Sequence, residues 1–164
     1  MKKLTEQEIK AIRARAEKFY QDGEFFCSEA VLTTVLDGFN VEYPEGVVAM
    51  ASGFAGGVGG AKCMCGAISG GSMALSYLFG RNKPGDPRIL NAMEKSKVLY
   101  DKFIERNKLA CCKVLIRKFE YGSCEHRNQC ARFTGEMAED TARIINEHLE
   151  NLENLEKGGA DEQN

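Results

Sequence analysis

The sequence predicts an all-α protein, a single-domain helical bundle of about six to seven helices with a glycine-rich loop before one of them. Three observations predict it. Apolar residues recur at helical spacing in successive segments. Residues that start or stop helices bound each segment. No run alternates apolar and polar residues as a half-buried strand would. At 164 residues the chain is long enough for one compact core, and 43% apolar with 28% charged residues is an ordinary globular make-up. No linker or repeat divides it, so residues 1–156 read as one domain. Residues 157–164, with Gly158 and Gly159, read as a disordered polar tail.

The elements follow in order. Thr5-Glu6-Gln7-Glu8 is a capping box that opens a helix with Ile9, Ile12, Ala16 and Phe19 on one face, ended by Asp22-Gly23. A second helix begins near Cys27-Ser28, carries Ala30, Val31 and Val35, and stops at Asp37-Gly38. Pro44 suits the first turn of a third, through Val47, Val48 and Met50. The run from Gly53 to Gly60 must be a loop, because that much glycine is costly in a helix. A helix then runs from about Gly66 to Phe79, closed by Gly80. Asp86-Pro87 starts a long one to about Asn107. Another is expected over Leu109 to Phe119. After a turn at Tyr121-Gly122-Ser123, the last is expected from about Asn128 to Leu155.

A formal net charge of −2, without a basic run interleaved with aromatics, argues against nucleic-acid binding. No apolar stretch approaches a membrane span, and no apolar segment follows Met1-Lys2-Lys3, so no membrane association and a cytoplasmic location are expected. Seven cysteines are many for a reducing compartment, and an odd number makes a poor disulfide framework. Cysteine enrichment of this kind points to metal binding, redox cycling or nucleophilic catalysis.

The cysteines are Cys27, Cys63, Cys65, Cys111, Cys112, Cys124 and Cys130, and four expected helices start at or near one of them. A helix N-terminus carries partial positive charge and free N–H groups, so it favours thiolate. Periodicity selects among neighbours. Cys27 lines up with Ala30 and Val31, and Cys65 with Ile68, Leu75 and Phe79. Cys112 lines up with Leu109, Leu115, Ile116 and Phe119, and Cys130 with Phe133 and Met137. Each can point into one core. Four inert core cysteines would be the alternative, but such positions favour leucine or valine.

The glycine segment has no Gly-Lys-Ser/Thr ending and follows a helix rather than a strand, so it is neither a P-loop nor a dinucleotide fingerprint. It fits a backbone that comes close to something bulky beside Cys65, with amides of Gly57, Gly59, Gly60 and Gly66 available to a bound group. There is no C-x-x-C and no ferredoxin-type run. Cys63-Met64-Cys65 is a bare C-x-C pair. Cys124, His126 and Cys130 form at most a zinc half-site, and both His126 and His148 are expected to be solvated.

Cys65-Gly66-Ala67-Ile68-Ser69-Gly70 carries a resemblance. The chain resembles the redox-active protein family named for its C–GCAxxG–C–C cysteine signature, related sequence of which occurs in the split-Soret cytochrome of sulfate-reducing bacteria. Cys27-Ser28-Glu29-Ala30 resembles the first element of that pattern and Gly53–Gly60 with Cys65–Gly70 the second. Cys112-Lys113-Val114-Leu115 resembles the third, and Cys130-Ala131-Arg132-Phe133 the fourth. The likeness spans about residues 17 to 150. It implies a bacterial or archaeal redox protein with Cys27, Cys65, Cys112 and Cys130 as its functional thiols, the same four that the stripes select. Cys63, Cys111 and Cys124 are additions that could substitute for one of them. The split-Soret relative implies an iron–sulfur centre in this region, and without C-x-x-C-H no covalent haem is expected.

Three functions follow as alternatives. The first is electron transfer through an iron–sulfur cluster, [2Fe–2S] in the leading reading, held by the four cysteines. The second is thiol–disulfide cycling of pairs such as Cys27 with Cys65 or Cys112 with Cys130. The third is a zinc or soft-metal binding module. An electron-transfer or accessory role is expected over a stand-alone enzyme. Size and role suggest a homodimer or docking to a redox partner protein.

Overall fold

A computed structural model describes the backbone of residues 1–161 and the side chains of residues 1–155. Seven helices make up the fold, and no strand occurs among the described residues. They are α1 (Glu6–Gln21), α2 (Cys27–Gly38), α3 (Gly46–Ser52), α4 (Gly66–Phe79), α5 (Ile89–Asn107), α6 (Cys112–Leu115) and α7 (Cys124–Asp161). The expected tail, 157–164, falls beyond the described side chains, and its last three residues lie outside the described residues altogether.

α2 is the hub. Every residue from Ala30 to Leu36 is buried, because α1, α4 and α7 pack around it and α3 lies against its flank. α5 closes the far side of α4, where Leu99 and Phe103 are fully buried and the Phe103 ring meets Phe133 of α7 edge-on at 5.4 Å. The core is made of aliphatic side chains such as Ile9, Leu32, Leu36, Ile68, Leu75, Met137 and Ile145.

The caps set where the helices begin. The expected box at α1 is present: the Glu8 N–H donates to Thr5 Oγ1 at 3.3 Å and the Thr5 N–H to Glu8 Oε2 at 2.7 Å. Glu29 holds the N–H of Phe26 at 2.9 Å and so fixes the entry to α2. Ser123 Oγ accepts the His126 N–H at 3.2 Å, which starts α7 at Cys124, about a turn earlier than expected.

The segment expected to be helical from Leu109 to Phe119 is helical only over Cys112–Leu115. Lys108 ends α5 in a left-handed conformation, φ +65°. Residues 109–111 then run without regular structure beside 62–65, ahead of α6. The Cys65 N–H donates to the Ala110 carbonyl and the Lys113 N–H to the Lys62 carbonyl, both at 2.8 Å. Those bonds take up backbone groups that a helix would otherwise use.

Candidate functional site

α2 and α4 cross with almost no space between them. A Cβ on Gly70 would stand 2.2 Å from the Ser28 carbonyl oxygen. One on Gly66 would stand 2.5 Å from Cys27 Sγ and 2.8 Å from the Phe54 carbonyl oxygen. Lying four residues apart, these glycines form one face of α4 and seat it on the first turn of α2. The Cys27 sulfur is thereby brought against the Cys65–Gly66 peptide.

The loop before α4 has a distinct backbone. Gly56, Gly57, Val58, Gly59 and Gly60 all have φ between +50° and +81°, one turn of left-handed chain. Side chains with a Cβ pay roughly 1–2 kcal/mol per residue in that conformation, which accounts for the glycines. Gly57 is also packed so closely that a Cβ would meet the Cys63 nitrogen at 2.7 Å. The turn folds back under Cys63-Met64 and aims the Gly56 N–H at the Cys27 sulfur.

Cys27, Cys65, Cys112 and Cys130 line one cavity of about 80 Å³. They arrive from the start of α2, the start of α4, the start of α6 and the second turn of α7. Gly56, Gly60, Lys62 and Gly66 complete one wall. Tyr20, Ile116, His126 and Phe133 complete the other, and exposed Phe26 and Tyr121 rim the mouth. Pockets for organic ligands run to roughly 300–1,000 Å³, and one water takes about 30 Å³. The cavity therefore suits a compact inorganic group and is too small for a flavin or haem. Among the described residues, no three of His, Cys, Asp and Glu converge closely enough to hold a single metal ion. The four sulfurs are set around a space, not around a point.

Burial pushes all four thiols above their ordinary pKa, Cys130 to about 11 and Cys65 well above its usual value. Helix N-termini favour thiolate, but desolvation outweighs them at these buried sulfurs. Cys130 does not sit in a first turn at all, since α7 begins at Cys124. Each sulfur nevertheless has a partner that favours its charge. Gly56 and Ser28 amides serve Cys27, the Ala67 amide serves Cys65, the Lys62 ammonium serves Cys112, and the Tyr20 hydroxyl donates to Cys130.

The additional cysteines stand apart from the cavity. Cys63 and Cys124 are exposed, and Cys124 Sγ accepts from the Asn128 amide at 3.6 Å. Cys111 donates its S–H to the Lys62 carbonyl at 3.6 Å. Of the glycines singled out from the sequence, Gly60 and Gly66 line the cavity and Gly57 supports the loop. Gly59 faces open space, with nothing within 4 Å of its Cβ direction. His126 is buried, not solvated: its Nδ1 accepts the Gly122 N–H at 3.1 Å, and burial, then Lys62, hold its pKa below the usual value. His148 is half-buried edge-on to Phe79 at 4.6 Å.

Tyr20, Lys62 and Gly56 were not among the site residues that the sequence singles out, and His126 was expected only in a solvated zinc half-site. Tyr20 carried a usable signal, since it continues the buried Ile9–Ile12–Ala16 stripe and an inward tyrosine hydroxyl needs a partner. A larger, open groove of about 730 Å³ runs along α4 past Met50, Met64, Met73 and Tyr77. It contains no cysteine, so the smaller cavity is the candidate site.

The sequence profile of the family described as "Putative redox-active protein (C_GCAxxG_C_C)" matches residues 25–144. An uncharacterized protein of Archaeoglobus fulgidus is 31% identical over 123 residues, which cover 70% of this chain and 81% of that protein. No solved structure matches the chain. None of the described helices is long and apolar enough to cross a membrane.

Proposed function

Because the chain belongs to the C_GCAxxG_C_C family of redox-active proteins, we propose that it transfers electrons through an iron–sulfur cluster held by Cys27, Cys65, Cys112 and Cys130. One observation carries this reading: four thiols from four separate helix starts or turns line a single 80 Å³ cavity. A cluster needs its thiolates spread around an inorganic core, one or two to each iron, and a set of four meets that requirement. Bound there, the cluster would supply one-electron chemistry. Around it, this chain would orient the thiols through the α2–α4 crossing and partner each sulfur as described. Ile116 and Phe133 would exclude water, and hydrogen bonds and burial of this kind tune potential. Exposed Phe26 and Tyr121 line the cavity and would face a redox partner.

Thiol–disulfide cycling is the second reading, favoured by the Cys27 sulfur lying against the Cys65–Gly66 peptide. It asks for a thiol of lowered pKa, whereas burial raises both. A single zinc is disfavoured because the four sulfurs do not converge.

The test is to purify the full chain anaerobically, assay iron, zinc and acid-labile sulfide per chain, and record the visible spectrum before and after reduction. Near-stoichiometric iron and sulfide with bleaching on reduction is expected, together with their loss in Cys65→Ala. No metal after anaerobic reconstitution would refute the cluster, and stoichiometric zinc without colour would replace it with the metal-binding module.

A further inference from the structure

Cys63 is outside the four-cysteine set, yet the chain holds it beside one member of that set. Two 2.8 Å hydrogen bonds tie the segment before α4 to the start of α6, Lys113 N–H to Lys62 O and Cys65 N–H to Ala110 O. The first bond joins the Lys62–Cys63 peptide to the Cys112–Lys113 peptide, so Cys63 and Cys112 flank the same hydrogen bond. Cα atoms that flank one backbone hydrogen bond in this way lie roughly 4.5–6 Å apart, within the ~4.4–6.8 Å that a disulfide spans. Cys63 is also near enough for its charge to act on the Cys112 thiol.

We propose that Cys63 and Cys112 form a disulfide on exposure to a peroxide, and that this bond withdraws Cys112 from the cavity. Cys63 is exposed and meets the oxidant first, while Cys65 is buried. The Cys63 sulfur attacks a peroxide oxygen, giving a sulfenic acid and one water. The Cys112 sulfur then attacks the Cys63 sulfur, forming the S–S bond and releasing a second water. Two thiols lose two electrons to hydrogen peroxide, and both thiol protons leave in the water. Cys111 is the poorer partner for Cys112. Neighbouring Cα atoms are 3.8 Å apart, short of the disulfide range, and the Cys111 S–H is turned to the Lys62 carbonyl. Only the functional consequence rests on the cluster reading; the bond itself does not.

The experiment uses the reduced, metal-free full chain treated with equimolar hydrogen peroxide, then mapped by non-reducing tryptic digestion and mass spectrometry. Cys63 and Cys65 share the peptide 63–81, and Cys111 and Cys112 share 109–113, so serine variants assign the bond. A linked pair 63–81 with 109–113 is expected in wild type and in Cys111→Ser, and is expected to vanish in Cys63→Ser. No link, a link that survives in Cys63→Ser, one lost in Cys111→Ser, or one joining two chains would overturn the proposal. Iron uptake under anaerobic reconstitution is read in parallel. Peroxide should lower it several-fold in wild type until a reductant is added, and leave it unchanged in Cys63→Ser. Equal uptake by linked and reduced wild type would overturn the withdrawal of Cys112. If reduced wild type takes up no iron, the cluster reading fails while the peptide map still decides the disulfide.

Discussion

Gly70→Ala is expected to destabilise the fold, and Gly135→Ala is not, although both place a methyl group in buried helix. At Gly70 the new Cβ would lie 2.2 Å from the Ser28 carbonyl oxygen and 2.9 Å from the Ser28 Cα and carbonyl carbon, all backbone atoms of α2. Backbone inside a helix cannot step aside without moving the helix. Overpacking costs about 1–3 kcal/mol, and rigid neighbours place this site at the upper end. Replacing helical glycine by alanine returns about 1 kcal/mol of propensity, leaving a net loss of about 2 kcal/mol. For a domain of this size that is roughly 4–8 °C in Tm. At Gly135 the three atoms nearest the new Cβ all belong to the Glu17 side chain, nearest at Cγ, 2.3 Å. That half-exposed side chain can swing away at the cost of its 2.8 Å bond from Arg13, so the variant should stay within about 1 kcal/mol of wild type. Thermal and urea unfolding of metal-free protein, followed by far-UV circular dichroism, reads both without the linkage that a bound group introduces. Equal stability of Gly70→Ala and wild type, or equal loss in the two variants, would refute the claim that the α2–α4 contact is set by backbone clearance.

Three further outcomes are expected. In metal-free protein at neutral pH, iodoacetamide should modify exposed Cys63 and Cys124 first and buried Cys65 last; peptide mass spectrometry over time checks the order, and early labelling of Cys65 contradicts the packing. Tyr20→Phe removes the hydroxyl that donates to Cys130. With a hydrogen bond worth ~0.5–1.5 kcal/mol, the potential of the reconstituted protein should fall by roughly 20–60 mV in a redox titration, and an unchanged potential would place Tyr20 outside the tuning shell. His148 has a pKa held below 6.5 by burial and then by Lys95, so the unfolded chain binds its proton more readily than the folded one. Stability should therefore decline as pH falls through 6.5 toward the folded value. His148→Gln should shallow that decline in urea melts across pH 5–7.5, and an unaltered slope would remove His148 as a source.

Much of this architecture is legible in the residues, for reasons that also mark where legibility stops. α1, α2, α4 and α5 declare themselves because an apolar stripe is bounded by residues that start or stop helices: the Thr5 capping box in α1, Gly38 ending α2, Gly80 after α4 and Asp86-Pro87 before α5. The segment after Lys108 has the stripe of a helix, but its backbone is claimed by pairing with residues 62–65, a contact between segments nearly fifty residues apart that no local pattern encodes. The four thiols could be selected by periodicity because each faces inward. Their partners could not, since a Gly56 amide or a Lys62 ammonium acquires its role only through the left-handed turn and the chain reversal that place it. Gly66 reads from sequence as an amide available to a bound group, whereas in the fold it and Gly70 give the clearance that lets α4 seat on α2.

The balance of forces on the thiols bears on what the cavity is for. A helix N-terminus typically favours a nearby negative charge by about 0.3–1 kcal/mol, and up to ~2 kcal/mol when partly buried. At Cys130, which has no such terminus, burial moves the thiol from 9.0 to about 11, a cost on the order of 3 kcal/mol for the thiolate even with the Tyr20 hydroxyl in place. Cys27 and Cys65 do begin helices, and burial still wins there. A protein built to attack disulfides would reverse that order, because its working species is the free thiolate. Here the polar partners are too weak to ionise the thiols alone but are aimed at all four sulfurs. Such an arrangement suits a site whose charge is completed by a bound cationic centre, which would supply the missing stabilisation and displace the protons together. In the proposed reading, the same electrostatics that make the four thiols sluggish nucleophiles would suit them to serve as a ligand set. They leave exposed Cys63, beyond the cavity wall, as the thiol placed to meet an oxidant.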